Sequence, residues 1–373
     1  MSPNRPTICL NMIVKNEAHV IRRCLDSVRP LIDTWVIVDT GSTDGTQDVI
    51  REHLRDLPGT LHERPWKGFG ASRTEALELA RGAADYLFFI DADDQMEVPA
   101  GFRMPHLAAD LYEVEIRHAQ LLYWRPALVA TRHAWRWVGV LHEYLDCEVD
   151  EPTRERLHGV RMLYMSGGGR SQVDQRTKYL RDAAVLEGGL VDEPDNARYV
   201  FYLGQSYRDA GEPEKALVAY DRRTTMGGFD EEVFCAHLNA ARLAAQVGRP
   251  SSEIVDRYLR AHESRPKRAE ALGDLARWCR ENGPRWPLAY LFGKAASAIP
   301  QPDDILFVES EWYAWRALDE YAIAAYWVGA FQESNDACER LLQAPGLPAT
   351  QRPRVTENLN FALRKLGRPT VTT

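Results

Sequence analysis

Three carboxylates, Asp91, Asp93 and Asp94, follow directly on five apolar residues, Leu87-Phe88-Phe89-Ile90 preceded by Tyr86. A short, uniformly apolar run rich in aromatics predicts a strand buried on both faces. Open α/β sheets place ligands outside the carboxyl ends of such strands. Asp91 and Asp93 are two residues apart, so in extended geometry they leave the chain on the same side. At about 4 Å and an effective dielectric of about 20, two such charges repel by about 4 kcal/mol. A hard divalent ion with oxygen ligands, magnesium or manganese in type, answers that repulsion and is commonly shared with substrate phosphates. The competing reading is an acidic loop whose carboxylates are solvated or cap the next element.

Other residues have chemical potential. Asp39-Thr40-Gly41-Ser42-Thr43-Asp44-Gly45-Thr46 is dense in turn and capping residues. The helix that follows offers N-terminal amides to a phosphate or a ribose oxygen, or is simply well capped. Arg73 falls at an expected helix start, a poor place for a cation unless it serves an anion. Both Arg73 and Lys67 also read as solvated surface. His142 and Glu143 sit in an aromatic-rich segment with Trp135 and Trp137. Neighbours in a strand point to opposite faces, so both serve one site only if the segment bends, which Gly139 permits. A hydrogen-bonded core histidine is the other reading of His142. The stretch 166–171, Ser-Gly-Gly-Gly-Arg-Ser, either wraps an anion in backbone N–H groups or is a hinge.

These residues need elements to hold them. Strands are expected at 7–14, 35–38, from Leu61, and at 86–90, with helices at 18–28, from about 46 to 54, and at 74–80. That alternation implies parallel strands with crossover helices. Residues 111–116 alternate as a half-solvated strand, 121–126 and 127–130 read as an edge pair, and 162–165 as a last short strand. From Val173 the chain reads as helical. Residues 196–226 carry Tyr199, Gly204, Tyr207, Gly211, Ala216, Leu217 and Tyr220 in the order of a two-helix tetratricopeptide unit. The order recurs with drift around Gly248, Gly283 and Gly329, and a helix at 353–366 closes the stack. Irregular helical packing is the alternative. The fold class expected is α/β followed by all-α, with the change at 170/171.

The chain has 373 residues, a formal net charge of −8 and six scattered cysteines without a C-x-x-C pair. That charge argues against a nucleic-acid partner. The cysteine pattern suits a reducing compartment, and no run reaches membrane-helix length, so a cytoplasmic protein without an integral membrane segment is expected.

The motifs together resemble family 2 glycosyltransferases, which have the GT-A, Rossmann-like fold. The resemblance rests on "CLNMIVKNE" at 9–17, "VDTGSTDGT" at 38–46, "ASRTEAL" at 71–77 and "FFIDADD" at 88–94. "VGVLHEYL" at 138–145 and the repeats look like a bacterial subgroup with tetratricopeptide repeats behind the transferase, which includes peptide S-glycosyltransferases. The resemblance implies an inverting, metal-dependent transfer from a nucleotide-diphosphate sugar, a UDP-sugar by expectation, to a peptide, protein or glycan. It implies Mn²⁺ or Mg²⁺ on the DXD residues Asp91 and Asp93. On chemical grounds His142 is expected as a third ligand, its neutral imidazole set by a neighbouring hydrogen-bond partner. Asn11, Glu17, Asp39, Thr40, Arg73, Asp91 and Ala92 are the expected donor contacts, and Asp91 and Glu143 the catalytic carboxylates. Thr40 stands where the family's usual loop has a second acidic residue. Trp135 and Trp137 beside Glu143 suggest a stacked sugar ring. A homo-oligomer through the repeats is a further expectation.

Two other classes compete. A non-catalytic repeat scaffold with a degenerate transferase domain predicts loss of the metal carboxylates, and Asp91 and Asp93 are both present. A nucleotidyltransferase needs a basic, glycine-rich signature near the N-terminus, which 9–17 lacks.

Overall fold

The computed structural model describes residues 5–118, 121–165, 174–283 and 285–371, with no side-chain description at His118, Leu121 and Leu122. It divides into two compact units, Met1–Gly211 and Glu212–Thr373. The change of sequence character expected at 170/171, like the glycine-rich stretch 166–171, lies within 166–173, outside the described residues.

The first unit is built on one mixed sheet. Strands β1 (Ile8–Val14), β2 (Thr34–Asp39), β3 (Gly59–Glu63) and β4 (Tyr86–Phe89) are parallel, joined through helices α1 (Ile21–Val28), α2 (Thr46–His53) and α3 (Phe69–Ala80). The apolar runs are buried on both faces because helices cover them. Beyond β4 come β5 (Gln95–Glu97), β6 (Leu111–His118), β7 (Leu121–Ala130), the pair β8 (Arg136–Val138) and β9 (Tyr144–Asp146), and β10 (Arg154–Leu163). The sheet order is β3-β2-β1-β4-β7-β6-β10-β5, with β7 antiparallel to both β4 and β6.

Three local expectations are corrected. Residues 121–130 form one continuous interior strand, not an edge pair. Pro126 is accommodated where the β6–β7 register shifts between Tyr112 and Glu113, since a bulge spares proline the ladder hydrogen bond it cannot donate. Helix α3 begins at Phe69, after Gly68 at φ 94°, so Arg73 lies a full turn inside it rather than at its start. The chain after β4 is not extended: Asp94 N donates to Asp91 O at 3.1 Å, closing a turn. Asp91 and Asp93 therefore do not share a strand face.

Helices α4 (Gln175–Asp192) and α5 (Ala197–Asp209) complete the first unit. The second unit is helical: α6 (Pro213–Thr224), α7 (Asp230–Gln246), α8 (Ser251–Ser264), α9 (Glu270–Glu281), α10 (Trp286–Ser297), α11 (Ala317–Trp327), α12 (Phe331–Gln343) and α13 (Arg352–Lys365). Successive helices from α6 to α13 pack against one another as a repeat stack does. The turn glycines read from the sequence, Gly211, Gly248, Gly283 and Gly329, all have φ between 72° and 82°, a left-handed conformation that costs other residues energy. No helix of the described residues is long and apolar enough to cross a membrane.

Candidate active site

The parallel strands β1, β2 and β4 deliver their carboxyl ends to one edge of the sheet, where three loops meet. The loops after β1 and β2 are laced together. Asn16 N donates to Ser42 Oγ at 2.8 Å, Thr43 N to Asn16 Oδ1 at 2.8 Å, Glu17 N to Thr46 Oγ1 at 2.8 Å and Ala18 N to Asp44 Oδ2 at 3.0 Å. Asn16 takes a left-handed φ of 57° to make this crossing, which asparagine tolerates better than most residues. Glu17 is thereby fixed at the mouth of the edge, its carbonyl accepting from Val20 and Ile21 N to start α1.

Asp39, at the tip of β2, is 1% exposed. Its Oδ1 accepts from Gly41 N and Ser42 N, both at 2.8 Å. Its Oδ2 is buried and has no hydrogen-bond partner. A buried carboxylate oxygen left unpaired costs free energy unless a ligand donor reaches it. Thr40 is turned the other way, its hydroxyl donating to the Val14 carbonyl at 3.1 Å. Asn11 is corrected from donor contact to structural tie: buried, it spends both amide N–H groups on the Val36 and Ala76 carbonyls, at 3.2 and 2.9 Å. It thus joins β1, β2 and α3. Ala92 packs into the main core.

Arg73 organises the cleft. Its Nη2 donates to Asp91 Oδ1 at 2.5 Å, and its Nε lies 2.6 Å from Glu143 Oε1. The Nε–H is not aligned for a hydrogen bond, so the second contact is an ion pair held by charge and proximity. One guanidinium thus links the tip of β4 to the β8–β9 loop. Asp91 is also approached by Arg125 of β7, whose Nη1 is 3.4 Å from Oδ2 and whose Nη2 is 3.8 Å from Asp94 Oδ2. Burial works against ionisation of Asp91, but Arg73 and then Arg125 more than offset it and hold the carboxyl well below its usual range. Asp94 goes the other way. Burial first, then the Asp91 and Asp93 charges, push it up to about 7 against the pull of Arg125.

Glu143 reaches Arg73 because the loop bends and because α3 lets it come close. Gly139 has φ 121° and His142 φ 53°. A Cβ on Gly70 would lie 2.6 Å from the Gly139 carbonyl oxygen, so only glycine admits this approach. Thr74 fastens the two segments, its Oγ1 accepting from Trp137 N at 2.9 Å. Helix α5 braces the loop from the other side. Tyr199 Oη accepts from Val140 N at 3.2 Å, and Arg198 Nε donates to the His142 carbonyl at 2.8 Å. This bracing explains why the first compact unit runs through α5.

The bend anticipated from Gly139 is present, but it separates the roles expected of its two residues. His142 stacks face to face on Tyr202, with ring centroids 3.9 Å apart and planes 11° from parallel. Among the described residues no three His, Cys, Asp or Glu side chains are grouped to hold a metal, so the set Asp91, Asp93 and His142 is corrected. What remains fits a magnesium-class ion in a different way, through one or two carboxylates of the Asp91–Asp94 turn together with a ligand's own phosphate oxygens. Trp135 is buried in the core and donates to the Ala130 carbonyl at 2.9 Å. Trp137 packs edge-on with Phe89 and lies under the Arg73 guanidinium, 5.5 Å from its ring centroid. Trp135 is therefore no platform for a sugar ring, and half-buried Trp137 has Arg73 over one face.

Arg125 was not singled out in the sequence. Its signal there is a single cation inside an otherwise apolar strand, which calls for a buried anionic partner.

A Rossmann-like α/β unit carries carboxylates and an arginine clamp at the carboxyl edge of its parallel strands, the edge at which open α/β sheets bind their ligands. Residues 9–99 match the family model described as Glycosyl transferase family 2, and the chain carries a domain of that family ahead of its tetratricopeptide-like repeats. Among curated proteins, a TPR repeat-containing protein of Synechococcus elongatus is 30% identical over 53% of this chain and 51% of its own length. The SPbeta prophage-derived glycosyltransferase SunS of Bacillus subtilis is 24% identical over 57% of this chain and 52% of its own. The chain thus spans about half the length of these two curated relatives. The lipopolysaccharide core biosynthesis glycosyltransferase LpsC of Rhizobium meliloti is 29% identical over 31% of this chain and 41% of its own. Among solved structures, the TPR protein YrrB aligns with 50% of this chain and 85% of its own, at 12% identity and a TM-score of 0.39.

Proposed function

We propose that this protein is an inverting glycosyltransferase that moves a sugar from a nucleotide-diphosphate donor, a UDP-sugar, to a peptide, protein or glycan. The transfer chemistry is assigned to residues 1–170 and acceptor recruitment to 171–373. The observation that carries the reading is the Arg73 bridge between Asp91 at the β4 tip and Glu143 on the facing loop. It sets a cation for a diphosphate directly beside a carboxylate able to act as base.

The unpaired Asp39 Oδ2 supports a donor from the nucleoside, a ribose hydroxyl or a base N–H, at the β2 tip. Glu17, held beside this tip by its N–H bond to Thr46 Oγ1, is assigned to the same donor. Arg73 and Arg125 stabilise negative charge as it gathers on the diphosphate, without any proton transfer. Asp91 and Asp93 are the residues to hold Mn²⁺ or Mg²⁺, which supplies further charge neutralisation at the leaving group. Glu143 takes the proton from the acceptor atom as that atom bonds to the anomeric carbon. The bond from that carbon to the diphosphate oxygen breaks, and its electron pair leaves with the nucleoside diphosphate. Attack opposite the leaving group inverts the centre. Glu143 is 9% exposed, so its charge is not dispersed by bulk water.

Glu143→Gln keeps the shape and removes the base. Its kcat is expected to fall by roughly 10²–10⁴-fold at unchanged donor affinity. Near-normal turnover would place the base elsewhere. If the acceptor is a thiol, already partly ionised at neutral pH, the loss shrinks and grows again as pH falls. A panel of nucleotide sugars scored by thermal shift with and without Mn²⁺ identifies the donor, because a ligand that binds only the folded state raises its stability.

A further inference from the structure

His142, the residue before Glu143, has φ 53°. A residue with a β-carbon is disfavoured there by roughly tenfold. Strain of this kind persists only where the surroundings over-determine it, and it clusters at functional sites. Burial does not supply the restraint, because His142 is exposed. Helix α5 does. Arg198 Nε donates to the His142 carbonyl at 2.8 Å, and the Tyr202 ring takes the imidazole face to face at 3.9 Å. Arg198 and Tyr202 are four residues apart on α5, so they lie one above the other. Arg198 Nη2 reaches Tyr202 Oη at 3.4 Å, and the guanidinium lies 4.9 Å from that ring's centroid. The same guanidinium is 5.7 Å from the Tyr144 ring. Arg198 thus engages the residues on both flanks of Glu143.

The helical pair α4–α5 is shaped to receive this loop. A Cβ on Gly189 of α4 would lie 3.0 Å from both the Tyr199 ring and the Val140 side chain, so glycine leaves room for the two to meet. Asn196 caps α5, its Oδ1 accepting from Tyr199 N at 3.1 Å. Tyr199, which accepts from Val140 N, is itself tied to Glu193 Oε1 at 3.3 Å. Tyr202 is only 7% exposed, so the ring under His142 is fixed by its own packing. The loop is held from α5 by two backbone hydrogen bonds and one ring stack.

Glu143 needs such a hold. Its contact with Arg73 is an ion pair without an aligned hydrogen bond, and charge attracts a carboxylate without orienting it. The orientation must come from the backbone on which Glu143 stands. We propose that Arg198 and Tyr202 are positioning residues for the transfer: by keeping His142 left-handed, they hold Glu143 in the pose from which it takes the acceptor proton. The proposal rests on the reading of Glu143 as base. It gives α5, whose sequence reads as the opening of a repeat, a part in the chemistry. Small misplacements of a reacting group cost large factors in rate, so a strap of this kind is visible in kcat.

The test uses the full chain, with UDP-glucose and Mn²⁺ as the turnover probe and UDP with Mn²⁺ as the binding probe. Amide exchange over 139–145 is read first, without ligand. Arg198→Gln and His142→Ala should speed it by about tenfold. His142→Gly takes a positive φ freely and keeps the carbonyl for Arg198, so it should stay within about threefold of wild type. The kcat for UDP-glucose hydrolysis should follow the same order, falling about tenfold or more in Arg198→Gln and His142→Ala. His142→Gly should recover most of that loss and Arg198→Lys part of it, while UDP affinity holds within about twofold. If Arg198→Gln fails to fold, the comparison of His142→Ala with His142→Gly decides. Equal losses in those two variants would mean that the imidazole itself meets a ligand, and would overturn the proposal. Unchanged exchange in a folded Arg198→Gln chain, or a kcat loss matched by weaker UDP binding, would do the same. Full turnover by Glu143→Gln would remove the base and so fault the transferase reading, whereas the exchange order still reports on the strap.

Discussion

Two arginine networks, one in each unit, are built from the same parts and end in opposite states. Arg268 in the second unit is wholly inaccessible, and its three nitrogens donate to Glu270, Asp304 and the carbonyls of Leu306 and Phe307 at 2.9–3.3 Å. Tyr313 Oη donates to the same Glu270 at 2.6 Å, and Arg265 backs Asp304 at 2.6 Å. The network fastens the segment 304–309 to the helices, and its donors and acceptors are matched. Arg73 in the first unit also binds two carboxylates, but at a cleft where Asp91 keeps 35% of its side-chain surface. There Asp39 has an oxygen without a partner, and one Arg73 contact is poorly aligned. Where a buried polar network is complete it fixes structure, and where it is incomplete it is poised for a ligand.

That distinction is tested first where the loss should be greatest. Arg268→Ala takes the guanidinium from Glu270, which has no side-chain exposure, while Asp304 keeps Arg265 and Lys267, and is expected to cost about 3–5 kcal/mol in urea unfolding. A loss under about 1 kcal/mol would mean that the network is incidental. Arg73→Gln should do the reverse, lowering turnover by about 10²–10³-fold while the unfolding midpoint moves little. A large stability loss there would erase the contrast between the two arginines.

A smaller effect comes from a complete network inside the first unit. Asp110 accepts from Thr153 N at 2.9 Å and Thr153 Oγ1 at 2.7 Å, from Arg132 Nε at 2.8 Å and from His133 Nε2 at 2.7 Å. The Thr153 hydroxyl above all, then its N–H, His133 and Arg132, hold the carboxyl well below its ordinary range. A carboxyl with a lowered folded-state pKa contributes stability that is fully present above its unfolded value, about 3.9. That contribution is lost as pH falls through the folded value. Asp110→Asn should therefore cost about 1–3 kcal/mol at neutral pH, and the gap to wild type should close in acid. A pH-independent gap would assign the loss to packing.

The sequence by itself determined much of this protein. Apolar runs at 7–14, 35–38 and 86–90 had one use, as strands covered on both sides, and their acidic successors had to emerge at one edge. The four turn glycines of the repeats were legible because a left-handed residue leaves a clear chemical mark. Only the tertiary structure decided which polar groups were already spent. Asn11 and Thr40 resemble ligand contacts in the chain, but their donors are consumed by carbonyls 25 or more residues away. Arg125 looked like part of an edge strand until β7 was placed between β4 and β6. The split between Glu143 and His142 depends on a backbone bend, on Gly70 admitting the loop and on Tyr202 receiving the imidazole. Local pattern fixes where a side chain can begin, because backbone periodicity is local. What that side chain meets is set by segments far away in sequence, and no local pattern encodes them.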